Sequence, residues 1–322
     1  MPLSSPRGVM AANAGTPAPL RHASTVVLLR DTPGGPEAYL VRRARTMAFA
    51  GGVFAFPGGR VDPADSGFEV PWAGQPMAEV MSTLEPDAAL ARALVHAAVR
   101  ETFEECGVLL AGPAAAGGAE QTGASATRPA PLDPAGPAWA ADRVAMERRE
   151  LTLAGLLARH GLALRANLLA PWARWITPEV EPRRYDTRFF MAALPPGQLP
   201  GELSGEADRM LWMHPADALE RHAAGRMAML PPTAWMLSDL LGFASVAEVL
   251  AAAAGRTITP VMPKIVIFDD AVHFLLPHDP EYATAGPPAD PVNASAIIAA
   301  ATIGASGGED GPPATAAGRE RP

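Results

Sequence analysis

The segment RETFEECGV, Arg100–Val108, carries the strongest chemical signal in the sequence. Glu101, Glu104 and Glu105 stand at positions i, i+3 and i+4, so a helix would bring their three carboxylates to one face. Like charges at this spacing repel one another and weaken a helix. Arg100 can pair with Glu104, but the other two carboxylates need a further counter-charge. Because the ligands are all hard oxygens, Mg²⁺ or Mn²⁺ is favoured over softer metals.

The alternative interpretation of this segment is a solvated acidic helix face, which three glutamates alone would favour. The wider pattern R-E-x-x-E-E-x-G is far more specific. It also ends the strongest predicted helix of the chain, Asp87–Cys106, in which Asp87 is a suitable N-cap and Gly107 a suitable C-cap glycine. The sequence therefore predicts a helix with a metal-binding face.

The pattern resembles the second half of the Nudix signature, G-x5-E-x7-R-E-U-x-E-E-x-G-U, where U is a bulky apolar residue. Phe56–Gly59 resembles its entry, with Gly59 as the first fixed glycine. The signature separates this glycine from the arginine by 14 positions, whereas Gly59 and Arg100 are 41 positions apart, an apparent insertion of 27 residues. Counted back from Arg100, the upstream glutamate of the signature would fall on Arg92, so it is absent from its expected place.

An interrupted signature is similar to that of the coenzyme A diphosphatase branch of the Nudix superfamily, of nudix motif 19 type. Three further segments point the same way, namely FPGGRVD (56–62), WITPE (175–179) and RYDTRFF (184–190). The resemblance implies a Nudix fold of the α/β class, a mixed β-sheet sandwiched between helices, here with a helical C-terminal extension. It also implies an enzyme that cleaves the diphosphate of a small nucleotide-derived substrate with the help of Mg²⁺ or Mn²⁺.

The same resemblance assigns the expected site residues. The metal ligands would be Glu101, Glu104, Glu105 and the carbonyl of Gly59, and the catalytic residues would be Glu101, Glu104 and Arg100. The proton of the attacking water would go to Glu101 or to a distal glutamate such as Glu206.

A second pattern bears on the substrate. Coenzyme A-cleaving Nudix enzymes often carry L-L-T-x-R-[SA]-x3-R-x3-G-x3-F-P-G-G; residues 40–44 match its start loosely, Gly52 and residues 56–59 match its end, and Ala48 replaces its second arginine. This partial match makes Arg43 a candidate substrate-binding residue, although an ordinary strand-edge charge is the alternative. The predicted substrate is coenzyme A or an acyl-coenzyme A, giving 3′,5′-ADP and an (acyl-)phosphopantetheine.

Other candidates for substrate binding are Arg184 and Arg188, because arginine binds phosphate in a bidentate way, and Glu206. A solvated basic patch is the alternative for the arginines. Two other functions stay open at this point: hydrolysis of ADP-ribose or a dinucleotide, and a non-catalytic Nudix-fold nucleotide sensor. The intact glutamate triad argues against a sensor.

The composition limits the class of protein. A net charge of −8 argues against a general nucleic-acid binder, and the single cysteine, Cys106, cannot form an internal disulfide. No apolar run reaches 18 residues, so no membrane span is predicted. We therefore expect a cytoplasmic enzyme with no nucleic-acid or membrane partner, with a homodimer as the candidate assembly. We expect Cys106 to fill the core.

Pro and Gly concentrate in segments that cannot support a packed core. We expect a disordered lead at 1–20, a Nudix domain at 21–282 with a flexible insertion at 112–138, and a disordered tail at 283–322. Within the domain, the patterns predict a hairpin of 24–30 with 37–43, a strand at 108–111, helices at 142–160, 215–224, 232–241 and 245–254, and a hairpin of 264–268 with 272–276.

Overall fold

The computed structural model describes most of the domain and little of the predicted tails. The described residues are 17–46, 51–67, 70–73, 81–82, 85–114, 134, 137–165, 168–179, 181–201, 207–268, 271–277 and 279–283. The predictions for most of 1–20, for most of 112–138 and for 284–322 therefore lie outside the described residues. The two ends of the 112–138 segment do belong to regular structure.

The elements follow in a long alternation of strands and helices. The strands are β1 Leu20–Thr32, β2 Gly35–Arg43, β3 Phe54–Ala55, β4 Gly58–Arg60, β5 Trp72–Ala73, β6 Ala111–Pro113, β7 Leu162–Arg165, β8 Ala170–Ile176, β9 Arg184–Ala193, β10 Ala207–Met213, β11 Pro260–Val261, β12 Lys264–Phe268 and β13 Ala271–Leu275. The helices are α1 Pro63–Ser66, α2 Ala88–Cys106, α3 Pro137–Glu147, α4 Leu153–His160, α5 Pro215–Ala223, α6 Pro231–Asp239 and α7 Val246–Ala253.

The main sheet is mixed. Its strand order is β10-β2-β1-β9-β8-β11, with β3 added beside β2 and β4 beside β1. The central pair β1–β9 is parallel, as is β8–β11, and the other pairs are antiparallel. The smaller pairings are a three-stranded sheet, β5-β7-β6, and the predicted hairpin β12–β13.

Each face of the main sheet has its own apolar core. Along β1, Val26 and Leu28 pack toward α2, whereas Val27 and Leu29 pack toward α5, α6 and α7. This alternation follows from the two-residue period of a strand, and a sheet covered on both faces makes both sets of side chains apolar. The arrangement confirms a mixed sheet sandwiched between helices. None of the helices in the described part of the chain is long and apolar enough to cross a membrane.

Helix α2 begins and ends where the sequence predicts. The Asp87 carboxylate accepts hydrogen bonds from the amides of Ala89 and Leu90, so it satisfies donors that the first turn leaves free. At the other end Gly107 adopts φ 70°, a left-handed conformation that glycine reaches without strain. We call the R-E-x-x-E-E-x-G segment the box, and its glutamates Glu101, Glu104 and Glu105 the box glutamates. The helix therefore holds the three box glutamates in its last two turns.

Two local predictions were wrong. The predicted helix at 142–160 is two helices, because α3 ends at Glu147 and Thr152 caps the start of α4 through the Gly155 amide. The strand predicted at 108–111 lies at Ala111–Pro113 instead, where it pairs with β7, an element the sequence patterns did not indicate.

Candidate active site

Strand β4 brings the FPGG segment against the last turns of α2. The amide of Gly58 donates to Glu105 Oε2 at 3.0 Å. At Gly59, a Cβ atom would lie 2.5 Å from Glu101 Cδ, so no larger residue fits without displacing that carboxylate. At Gly58, a Cβ would lie 2.5 Å from the Ser24 carbonyl oxygen. Close approach of the backbone therefore requires glycine at position 58, whereas a side chain at position 59 would displace the Glu101 carboxylate.

Arg100 is a buried arginine that pairs with the acidic side chains in and beside the box. Its side chain is only 4% exposed, and it donates to Glu101 Oε1 at 2.7 Å, to Glu104 Oε2 at 3.1 Å and to the Arg60 carbonyl at 3.0 Å. Burial alone would lower the pKa of Arg100, but the hydrogen bond to Asp65 and the neighbouring carboxylates raise it. Arg100 is not among the residues that line the cleft described below, and its contacts are with the neighbouring carboxylates and the Arg60 carbonyl.

Asp65 is the acidic residue that the sequence reasoning missed. Both of its carboxylate oxygens accept from Arg100, from Nε and Nη2, each at 2.9 Å. It stands six positions after Gly59, the place of the upstream glutamate in the Nudix signature when the count runs forward from that glycine. The count back from Arg100 fell on Arg92 because it crosses the insertion, which lies after Asp65.

The Asp65 backbone is fixed by its own short helix. Asp62 caps α1, its side chain accepting from the Ala64 amide while Asp65 Oδ2 accepts from the Asp62 amide at 2.7 Å. The Asp65 carbonyl also accepts from Nδ1 of His96 at 2.8 Å. His96 is buried, and burial lowers its pKa, which favours the neutral ring as a packing residue.

The box carboxylates are partly desolvated. Burial raises the pKa of Glu104 to about 7 and raises that of Glu101 as well, although Arg100 opposes both shifts. Glu104 Oε1 is buried and has no hydrogen-bond partner among the described residues. A buried carboxylate oxygen without a donor is costly, so it points to a group that the site is built to receive.

A cleft of about 650 Å³ opens beside the three box glutamates. Its lining includes the charged residues Arg43, Arg60 and Arg149 besides the glutamates, and the apolar residues Val53, Phe56, Phe189, Leu230 and Pro232. Arg43, the candidate from the substrate pattern, lines this cleft, and its Nε has no hydrogen-bond partner among the described residues. Its neighbour Arg42 instead pairs with Asp208 at 2.6 Å.

Arg184 and Arg188 do not reach the cleft. Along β9, Tyr185, Thr187 and Phe189 line it, so the two arginines point to the opposite face of the sheet. Arg188 is fully buried and pairs with Glu85 and Asp186, and Arg184 donates to the carbonyls of Ala18 and Thr177.

The hypothesis that these two arginines bind substrate phosphates is therefore wrong, since their guanidinium groups are used within the fold. Glu206, the distal candidate, lies outside the described residues.

Two other sequence interpretations concern packing residues. Cys106 is a buried free thiol that donates to the Thr102 carbonyl, and burial raises its pKa to about 12. A thiol in that state is not a nucleophile. Trp172 and Trp175 are buried in the core on the α5–α7 face.

The donor set fits a divalent cation. The available ligands are carboxylate oxygens and the Gly59 carbonyl, all hard donors, and Glu104 Oε1 is an unpartnered buried oxygen. Within the described residues, however, no three acidic, histidine or cysteine side chains already converge on one point. The reason is visible in the contacts: Glu101 and Glu104 turn to Arg100, and Glu105 turns to the Gly58 amide.

Comparison with known proteins places this geometry in a family. The sequence model of the NUDT19 Nudix domain matches residues 74–240. The acyl-coenzyme A diphosphatase NUDT19 of Gallus gallus is 28% identical over 310 residues, spanning 81% of this chain and 79% of that protein. The human protein of the same name is 31% identical over 204 residues, spanning 58% of this chain and 49% of that protein.

A solved structure agrees. The crystal structure of a NUDIX hydrolase from Alicyclobacillus acidocaldarius superimposes with a TM-score of 0.55 at 30% identity, covering 76% of this chain and 99% of that one. The chain is therefore a Nudix hydrolase. Within that superfamily, it belongs to the NUDT19 type, and the prediction of a Nudix diphosphatase fold and enzyme is confirmed.

Proposed function

We propose that the chain hydrolyses coenzyme A or an acyl-coenzyme A at its diphosphate, giving 3′,5′-ADP and an (acyl-)phosphopantetheine. The observation that carries the proposal is the cleft at the box glutamates, whose lining combines arginines with apolar side chains and so suits a ligand with a charged diphosphate and a long pantetheine or acyl-pantetheine arm. The relatives named acyl-coenzyme A diphosphatases support the same substrate class. The sensor alternative loses its basis, because the chain belongs to an enzyme family.

We assign Mg²⁺ or Mn²⁺ to Glu101, Glu104, Glu105 and the Gly59 carbonyl. Nudix hydrolases generally use divalent metals. When bound, such a cation neutralises phosphate charge and lowers the pKa of water. Arg100 holds Glu101 and Glu104 at the cleft edge, so it orients the ligands without touching the substrate.

The reaction itself is a hydrolysis. The oxygen of a water molecule bonds to one phosphorus while the bond from that phosphorus to the bridging oxygen breaks, and the bridging oxygen leaves with the second phosphate. Glu101 or Glu104 takes the proton of the water. A general base works best with a pKa near the working pH, and the interacting carboxylates of Glu101 and Glu104 titrate as a coupled set. Arg43 binds a phosphate from the sheet side of the cleft.

The test is a substrate panel. The purified chain is incubated with Mg²⁺ or Mn²⁺ and with coenzyme A, an acyl-coenzyme A, ADP-ribose or a diadenosine polyphosphate, and the products are read by mass spectrometry. Water enriched in ¹⁸O shows which phosphorus is attacked. We expect the highest kcat/KM for coenzyme A or its acyl ester. A higher value for ADP-ribose or a dinucleotide would refute the substrate assignment.

Arg43→Ala provides a matched test of the cleft, with Arg42→Ala as control. Arg43 lines the cleft, whereas Arg42 is one residue away and pairs with Asp208. We expect KM for coenzyme A to rise in the first variant and to stay near the wild-type value in the second. The cytoplasmic location and the homodimer stay predictions from the sequence.

A further inference from the structure

Arg149 combines an unusual backbone with a place in the cleft. Among the described residues, it is the only one other than glycine with a positive φ, 63°. Helix α3 ends in a hydrogen-bond pattern in which the Arg149 amide donates to Met146 and the Glu150 amide donates to Ala145, at 2.9 and 2.8 Å. This is a Schellman ending, whose left-handed position is usually glycine because a Cβ atom is strained there.

In the next helix, α4, the left-handed position at the C-terminal end is occupied by glycine. Helix α4 ends at Gly161, which has φ 60° and accepts the same left-handed conformation without a side chain. At the corresponding place in α3, the chain has a long cationic side chain instead. Strain of this kind persists where the surrounding structure enforces it, and it concentrates at functional sites.

The side chain of Arg149 extends into the cleft. Its guanidinium is half exposed, with Nη2 3.3 Å from Asp62 Oδ2 and Nη1 3.9 Å from Glu104 Oε1. Both contacts are long for hydrogen bonds, and an ion pair this exposed contributes little to folding. The ion pair between Arg149 and Asp62 would therefore stabilise the fold too little to compensate for the backbone strain at Arg149.

We propose that Arg149 is a substrate-binding residue that grips a phosphate oxygen of the diphosphate, and this inference rests on the proposed function of the cleft. The guanidinium fork suits two phosphate oxygens, and the loop after α3 presents it next to Glu104. Arg149 then lines the same cleft as Arg43 of β2, and substrate replaces its long contact with Asp62. The left-handed backbone is what aims the side chain there.

Arg149→Gly is the decisive variant, because it removes the guanidinium and relieves the backbone strain at once. Arg148→Ala is the matched control, since Arg148 is an exposed arginine one residue earlier that does not line the cleft. We expect Arg149→Gly to melt at the wild-type temperature or above it, while kcat/KM falls roughly 10- to 100-fold, as expected for a lost charge-assisted hydrogen bond. Arg149→Lys, which keeps the charge but not the fork, should fall between the two. Arg148→Ala should change neither property.

Binding gives a readout that does not depend on turnover. Inorganic pyrophosphate is titrated by calorimetry in the presence of Mg²⁺, and we expect its affinity to drop in Arg149→Gly and not in Arg148→Ala. The proposal is overturned if Arg149→Gly keeps its kcat/KM and pyrophosphate affinity within twofold, if it melts well below the wild type, if the control loses as much, or if the wild type does not bind pyrophosphate.

Failure of this proposal can be told from failure of the proposed substrate. The substrate assignment is judged on the wild type alone, by which diphosphate it cleaves best. The role of Arg149 is judged by comparing variants on whichever diphosphate that is, so either conclusion can fall while the other stands.

Discussion

Asp65→Asn tests whether the box arginine is held by an acidic residue from outside the box helix. In the structure, Asp65 and Arg100 form a two-pronged ion pair with side chains only 2% and 4% exposed. Asparagine keeps one acceptor oxygen but turns an NH₂ group toward a guanidinium. Breaking a buried pair of this kind destabilises a protein by about 3–5 kcal/mol. Because Glu101 and Glu104 still compensate Arg100, we expect the lower end, about 3 kcal/mol.

The same substitution should weaken metal dependence. With Asp65 neutral, Arg100 has the carboxylates of Glu101 and Glu104 as its remaining anionic partners, at 2.7 and 3.1 Å. It then competes more strongly with a cation for them. Substituting a residue that orients metal ligands commonly lowers metal affinity by about 10–100-fold. We expect the Mg²⁺ concentration for half-maximal activity to rise by about tenfold.

Urea unfolding in EDTA measures the stability change, and Asp208→Asn is the control. Asp208 pairs with Arg42 at 2.6 Å but is 33% exposed, so its loss should change the free energy of unfolding by less than about 1 kcal/mol. If Asp65→Asn loses no more stability than this control, Asp65 is not the partner that holds Arg100, and the assignment of the upstream signature position to it fails.

Three further predictions concern the charged groups on either side of the sheet. Glu105→Gln should keep the fold, since an amide oxygen can still accept a hydrogen bond from Gly58. It should reduce kcat at least roughly 100-fold and reduce the stabilisation by Mg²⁺ in thermal melts. A near-normal kcat would remove Glu105 from the metal site. Because burial raises the pKa of Glu104 in the folded state from 4.5 to about 7, its contribution to metal-free stability should be greatest below pH 4.5 and fall by up to about 3 kcal/mol as the pH rises to 7. Glu104→Gln should therefore remove about that much of the pH dependence measured by urea unfolding. Arg188→Met leaves Glu85 buried without its cation, whereas Asp186 keeps its pair with Arg174 at 2.7 Å. The variant should therefore destabilise the fold by about 3 kcal/mol and leave KM unchanged, and a raised KM in a stable variant would support substrate binding by Arg188.

Local features of the fold were predictable because their signals are local. Asp87 and Gly107 mark the ends of α2 through capping chemistry, and the turn at 33–36 sets the β1–β2 hairpin. The parallel pairing of β1 with β9 was not predictable from local patterns, because the two strands are more than 150 residues apart. The break between α3 and α4 has neither glycine nor proline to signal it.

The site residues divide in the same way. The box glutamates follow from helix periodicity, but Asp65 is reached only by counting forward from Gly59, since the insertion changes the spacing on one side of it. Arg188 was misjudged because both faces of β9 are covered by helices, so alternation alone does not say which face meets the cleft. Arg149 carries no signal in the sequence, as its left-handed backbone is a property of the folded loop.

The contacts of the box also change the argument for a metal that the sequence suggested. From spacing alone, two carboxylates need an external counter-charge. In the structure, Arg100 compensates Glu101 and Glu104, and the Gly58 amide donates to Glu105, so the repulsion is already offset without a cation. A cation then has to draw the carboxylates away from these partners. Mg²⁺ should therefore stabilise the fold only by mass action, by about 2.7 kcal/mol at a concentration 100 times its Kd, and the metal-free chain should fold cooperatively on its own. A chain that unfolds in EDTA at room temperature would contradict this balance of charges.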